Sequence, residues 1–483
     1  MSFRESESKI GMKKNLWYQS LYQILNLILP LITAPFLSRV LGAESLGIIS
    51  YTTSVVNYFV LFAMLGLTNY GTRSIAVVKN DKKDRNRVFT EIYVLQVFTS
   101  TIALIVYALY MVFICDDNIL VSWIQGIAIL ACLFDINWFF FGIEKFKITV
   151  IRSMVIRVVS VIMILLFVKQ PSDLWLYSIL LLGSTFVSQI VLWVYLPKYT
   201  HIVKVKFHDV KKHLLPNIKL FIPLLAMSVY HIMDKTMLGR MSSYLESGYY
   251  YNADKVINIP IGLLTGVGTV LLPRVSALAG GNNKAQANRL FNDSIIVIGC
   301  FSAALCCGIA AIAEEFTPFF FGPGYEPCIL LIITLSPVLF IKGFTLISRN
   351  AYLIPNNMEN KLTASVVAGA IANLVANFLL IPLFGALGAV IGTIIAEFVS
   401  FVLQYVMIFK ETDCLKSLLH GCLYFLFGVI MYFGVRCISQ FLNFSLLFKV
   451  IIEVLIGAII YISLCLIYWK ISKNNKILAL IRS

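Results

Sequence analysis

Long unbroken apolar runs recur along this chain, separated by short polar stretches rich in lysine and arginine. The runs do not alternate with period two. Most reach the roughly 20 residues that an α-helix needs to cross a hydrocarbon core of about 30 Å. Lipid offers the backbone no hydrogen-bond partner, so such runs must close their hydrogen bonds internally, as helices. Fourteen spans are predicted, at 16–37, 48–70, 92–114, 119–141, 153–168, 174–196, 217–238, 256–274, 294–313, 327–348, 362–382, 386–409, 417–437 and 445–469. The fifth is short for a crossing. The first is too long for a signal-peptide core and lacks a cleavage site, so it reads as a permanent span.

The polar intervals orient the chain. With the N-terminus in the cytoplasm and the sides alternating, 31 of the 39 lysines and arginines fall on the inner side. The positive-inside rule then puts both termini in the cytoplasm. An internal repeat is visible as well. Leu37–Ser74 compared with Leu238–Val275, at an offset of 201, gives seven identities in 38 positions, among them Arg39/Arg240, Asn57/Asn258 and Arg73/Arg274. Chance gives about two or three in such biased composition. The matched spans open two six-helix sets, and an even number of crossings leaves both sets in the same orientation.

The expected fold is therefore an all-α integral membrane protein of about fourteen transmembrane helices. Two parallel six-helix halves flank a central cleft, two C-terminal helices are added, and both termini are cytoplasmic. The expected boundaries are a cytoplasmic segment at 1–15, an N-terminal bundle at 16–196, a cytoplasmic linker at 197–216, a C-terminal bundle at 217–409, two further helices at 410–469 and a basic tail at 470–483.

Composition agrees and removes several function classes. Of 483 residues, 59% are hydrophobic and only 13% charged, against about a quarter charged in soluble domains. The formal net charge of +15 follows the inner loops. It reads as a topology signal and an attraction to anionic headgroups, not as a nucleic-acid patch. The ten cysteines lack CxxC spacing, which points to neither a metal site nor a disulfide framework. No phosphate-cradling glycine motif and no nucleophile cluster stands out, and the outer loops are short. No cofactor and no enzymatic activity are expected.

Ionisable residues within spans are costly and should face a cavity or a partner. Those present are Asp135, Arg157, Asp234, Lys235, Lys342, Glu397, Lys449 and Glu453, with Arg39, Arg240, Asp254 and Lys255 near span ends. Arg39, Asn57, Lys235, Arg240, Asn258 and Lys342 are the candidates for lining a hydrated cavity, where guanidinium forks could hold phosphate. Asp135, Asp234 and Glu397 serve either ion coupling or structure. For Asp135 a structural pairing with Arg152 or Arg157 is favoured, and Asp234 could neutralise a neighbouring cation. His231 reads as a hydrogen-bonded interior histidine. Pro30, Pro35 and Pro223 interrupt the first span of each half, where bends could act as hinges.

Three stretches carry a resemblance. DINWFFFGIEKFKITVIR (Asp135–Arg152), MDKTMLGRMSSYLESGYYYNADKVINIP (Met233–Pro260) with LLPRVSAL (Leu271–Leu278), and GAESLGIISYTTSVVNYF (Gly42–Phe59) are similar to segments of polysaccharide-biosynthesis flippases of the Wzx type. That family lies within the multidrug/oligosaccharidyl-lipid/polysaccharide transporter superfamily. The resemblance implies a multi-pass protein of the bacterial plasma (inner) membrane, translocating an undecaprenyl-diphosphate-linked oligosaccharide from the cytoplasmic to the outer leaflet. The implied partners are that lipid-linked substrate, membrane lipids, and the glycan polymerase and glycosyltransferases of the same pathway. A monomer is the default. The alternative is a multidrug or cation antiporter of the same superfamily. A major-facilitator transporter is disfavoured, because the loop GTRSIAVVKNDKKDRNR (Gly71–Arg87) lacks that family's arginine-rich pattern.

Overall fold

Helices make up all the regular structure of the computed structural model, with no strand among the described residues, 3–280 and 284–472. Side chains are described except those of 3–28, 223–224, 226–227, 229–231, 267–271, 273–274, 279–280 and 472. Pro223, His231 and Arg274 therefore lie outside the described side chains, as do the segment expected at 1–15 and most of the tail expected at 470–483. Among the described residues, eleven helical segments are long and apolar enough to cross a membrane. Their outward-facing side chains are large and apolar, such as Phe113, Leu166, Phe378 and Ile459, as a lipid-facing surface requires.

The chain divides into two compact units, Met1–Thr236 and Met237–Ser483. In the first, α1 (Phe3–Met64) carries the first predicted span and most of the second, continuing through Pro30 and Pro35 and bending at Gly42. Gly42 has φ 76° and ψ 170°, backbone that a side chain rarely tolerates. The helix restarts as α2 (Leu67–Val78). Next comes α3 (Lys82–Phe113), whose start is capped by Asp81 accepting from Lys83 N and Asp84 N at 2.8 and 3.1 Å. A side-chain acceptor at this position satisfies donors that the helix leaves open.

The fourth predicted span is not one helix. It is built as α4 (Ile119–Gln125), α5 (Ile127–Leu133) and α6 (Asn137–Gly142). A broken span frees carbonyls that lipid cannot satisfy. Gln96 of α3 takes two of them, donating to Cys132 O at 2.5 Å and Asp135 O at 2.8 Å. Its own oxygen accepts from the Trp138 indole at 2.8 Å. The fifth span is longer than expected, because α7 (Phe146–Phe167) begins seven residues before the predicted start. Then come α8 (Leu174–Tyr195), the short α9 (Phe207–Lys211) and α10 (Leu214–Met241). Phe89, Ile92, Trp138, Phe139, Phe140 and Leu192 form a buried cluster in the unit.

In the second unit, α11 (Tyr244–Gly280) follows the last turns of α10 after a break at Ser242–Ser243. That break falls at the position matching Gly42 under the offset of 201. The central helix, α12 (Lys284–Phe321), packs against several others. The tenth predicted span is again broken, into α13 (Pro327–Leu335) and α14 (Pro337–Ser348), followed by a wide turn at Arg349–Leu353. A hairpin of α15 (Glu359–Phe384) and α16 (Ala386–Ile408) precedes α17 (Cys414–Ser439) and α18 (Leu446–Ser472). Both of the last two helices pack on α12. Gly299 of α12 meets Gly421 of α17 so closely that a Cβ on Gly299 would lie 2.7 Å from the Gly421 Cα.

Candidate functional site

The first unit contains a cavity of about 390 Å³, and eleven of its fourteen lining residues are polar or charged. Seven of its lining residues come from the segment Asp135–Arg152: Asp135, Asn137, Phe141, Phe146, Thr149, Val150 and Arg152. Ser153 and Arg157 of α7 and Ser184, Thr185, Ser188 and Gln189 of α8 complete most of the rest. The break between α5 and α6 makes this wall possible, because it leaves Asp135 outside the regular helix at the start of α6. Its Oδ1 accepts from Asn137 N at 2.9 Å and Asn137 Nδ2 at 2.8 Å. The same Nδ2 donates to Gln189 Oε1 at 2.8 Å, while Asn137 Oδ1 accepts from Arg152 at 3.1 Å. Arg152 also donates to Ser153 Oγ at 2.9 Å and to the Ser188 carbonyl. Asn137 is thus the hub that joins a carboxylate, a guanidinium and a carboxamide from three elements. In a low-dielectric bundle such a network holds its members in one arrangement.

The other sequence-predicted residues distribute over both units. In the first, Arg39 is exposed three residues before the Gly42 bend, and one of its nitrogens donates to Pro35 O at 3.2 Å. Asn57 is half-buried on α1. Asp234 is buried and Lys235 half-buried on α10, where Tyr58 of α1 hydrogen-bonds Thr236 and lies in the field of Asp234. In the second unit, Arg240 is exposed at the end of α10, and Asn258 donates to its own helix, to Asp254 O at 2.9 Å and Oδ1 at 2.8 Å. Lys342 of α14 and Glu397 of α16 form an ion pair at 3.1 Å with little exposure. Lys449 pairs with Glu315 at 3.0 Å, and Arg436 reaches the same carboxylate at 2.7 Å.

One charged cluster in the first unit is structural in form. Glu91, fully buried near the start of α3, meets Arg87 at 2.8 Å, Lys212 at 3.0 Å and His213 Nε2 at 2.8 Å. Tyr70 lies 2.6 Å from His213 Nδ1. With Nε2–H donating to the carboxylate, Nδ1 accepts the tyrosine proton, and the cluster pins α2, α3 and the start of α10 together.

The sequence profile of the family described as "Polysaccharide biosynthesis protein" matches residues 12–279. This chain belongs to that family. Within curated proteins it is 24% identical over 368 residues to a protein of Escherichia coli (strain K12) named "Putative O-antigen transporter", covering 74% of this chain and 88% of the relative. A protein of the same name from Shigella dysenteriae is 25% identical over 320 residues, 65% of this chain and 79% of the relative. Among solved structures, "Lipid II flippase MurJ, inward closed conformation" shares the fold at a TM-score of 0.76 and 15% identity, covering 94% of this chain and 99% of that one. An inward-facing multidrug resistance MATE transporter of the MOP superfamily matches at a TM-score of 0.57 and 13% identity, covering 82% and 96%. At these identities the likeness establishes a shared fold.

The polysaccharide biosynthesis segment Asp135–Arg152 thus has a structural meaning, as the wall of a cavity. Sequence reasoning found Asp135, Arg152 and Arg157 in it but missed Asn137, Gln189, Ser184 and Thr185. Uncharged polar residues are common enough in membrane helices to pass unmarked. The available signal was the spacing of Ser184, Ser188 and Gln189, which share one face of α8.

Proposed function

We propose that this multi-pass inner-membrane protein is a flippase carrying an undecaprenyl-diphosphate-linked oligosaccharide repeat unit from the cytoplasmic to the outer leaflet during cell-surface polysaccharide synthesis. The observation that carries the reading is a polar, two-arginine cavity built inside the helical bundle of a polysaccharide biosynthesis family member. Polar groups at membrane depth persist where they line a wet cavity or meet a partner. The relatives named as O-antigen transporters and the fold shared with a lipid II flippase support the same cargo class.

The flippase crosses the membrane fourteen times with both termini cytoplasmic, as its basic loops indicate, and works by alternating access. The breaks at Gly42 and at Ser242–Ser243 support the parallel repeat, since they recur at matching positions. Arg39 and Arg240 also match, are both exposed, and are assigned to the substrate diphosphate. A diphosphate cannot enter hydrocarbon bare, so the cations shield the head while the polyprenyl chain stays in lipid. Export of cationic drugs fits less well, because Glu397 is neutralised by Lys342 and Glu315 by Lys449 and Arg436.

Reconstitution into liposomes tests the reading, with leaflet transfer of an undecaprenyl-diphosphate oligosaccharide and of a cationic dye followed side by side. Transfer of the lipid-linked sugar alone is expected. Dye transport without sugar transfer would establish the antiporter instead.

A further inference from the structure

The geometry points to a sugar-binding subsite wholly within the first unit, formed by Asp135, Asn137, Arg152, Gln189 and the Phe141–Phe146 pair, that recognises one or two rings of the glycan cargo. It rests on the flippase reading for the identity of that cargo. The chemistry of the wall narrows the ligand. A bare diphosphate would face the Asp135 carboxylate, and a cationic ligand would face Arg152 and Arg157. A lipid tail would lie against a wall of carboxylate, guanidinium and carboxamide groups and satisfy none of their remaining hydrogen-bonding capacity.

A sugar ring presents donors and acceptors on neighbouring carbons and suits all of these groups. Carboxylate oxygens accept from adjacent hydroxyls, guanidinium donates to ring and hydroxyl oxygens, and carboxamides do both. Ser184 Oγ already donates to Leu181 O at 2.7 Å and Thr149 Oγ1 to Phe146 O at 2.9 Å, so each keeps acceptor capacity toward a ligand. Phe141 and Phe146 stack with centroids 5.4 Å apart at 22° and also line the cavity. Their apolar faces match the C–H face of a pyranose. A volume of about 390 Å³ lies at the small end of ligand pockets, suiting about one or two rings and not a whole repeat. The Asn137 hub holds the wall in place before the ligand arrives, which lowers the entropy lost on binding. A site built to hydrogen-bond hydroxyls also rejects ligands that lack them, so this wall is where sugar identity is read.

The test is calorimetric titration of the full-length protein in detergent. The probes are the oligosaccharide repeat released from the source organism's surface polymer and, separately, inorganic pyrophosphate. Three proteins are compared: wild type, Gln189→Leu, and Thr185→Val, the last removing an exposed lining hydroxyl. The expected result is oligosaccharide binding by the wild type that weakens about tenfold in Gln189→Leu and severalfold in Thr185→Val, with pyrophosphate affinity unchanged. Oligosaccharide affinity equal in all three proteins, or absent in the wild type, overturns the subsite. So does pyrophosphate binding that falls in the variants and competes with the oligosaccharide. Variant-sensitive oligosaccharide binding in a protein that transfers no lipid-linked oligosaccharide in liposomes would leave the subsite standing and remove the flippase reading.

Discussion

Asn137 joins three charged or polar partners, and its replacement exposes what each contributes. Asn137→Leu leaves the Asp135 carboxylate and the Arg152 guanidinium without their shared partner. Each lost hydrogen bond to a charged group costs about 1.5–3 kcal/mol, so the melting temperature of purified Asn137→Leu should fall by several degrees. A melting curve unchanged from wild type would show that the network does not hold the wall. Lys342 and Glu397 allow a sharper experiment. Lys342→Met removes the cation paired with the buried Glu397 carboxylate and should destabilise by about 3–5 kcal/mol. Pairing it with Glu397→Met should restore most of the stability. If glycan transfer returns together with stability, the pair is structural. Stability that returns without transport would give Glu397 a role in ion coupling.

At the scale of the helix, two glycines do different work. Gly42 bends α1 through a positive φ, and Gly42→Ala should cost about 1–3 kcal/mol through backbone strain. Gly299 permits close approach of α12 and α17. Gly299→Leu should separate that helix pair and be read as loss of folded protein in fluorescence-detected size exclusion, whereas Gly308→Ala, with only a 3.8 Å neighbour, should be tolerated. The broken fourth and tenth spans belong here as well. Hydropathy sees only that residues 119–141 are apolar. It does not register that Gln96, from another helix, supplies the donors that let the break exist.

On the scale of the whole molecule, the distribution of charge sets the expected orientation and substrate contacts. The basic loops predict that a cysteine replacing Asp117, between α3 and α4, reacts with a membrane-impermeant maleimide in intact cells. A cysteine replacing Lys82, at the start of α3, should react only after permeabilisation, with labelled peptides identified by mass spectrometry. The reverse pattern would invert the topology. Replacing Arg39 and Arg240 together by glutamine should reduce glycan transfer at least tenfold in protein that still reaches the membrane, if the diphosphate is held there.

By itself the sequence determined the class of this protein. Apolar runs of membrane length leave the backbone no choice but helix, and the stretches at Gly42–Phe59, Asp135–Arg152 and Met233–Pro260 carry the resemblance to the family whose profile matches residues 12–279. Those properties depend on local composition, which each residue carries with it. The course of the fourth span, the partnership of Lys342 with Glu397 and the polar cavity were decided only by tertiary structure. Each joins residues far apart in the chain: Asn137 with Gln189, Gln96 with Asp135, Lys342 with Glu397. A charge or an amide in an apolar run signals that something must meet it, while the packing of helices decides what does.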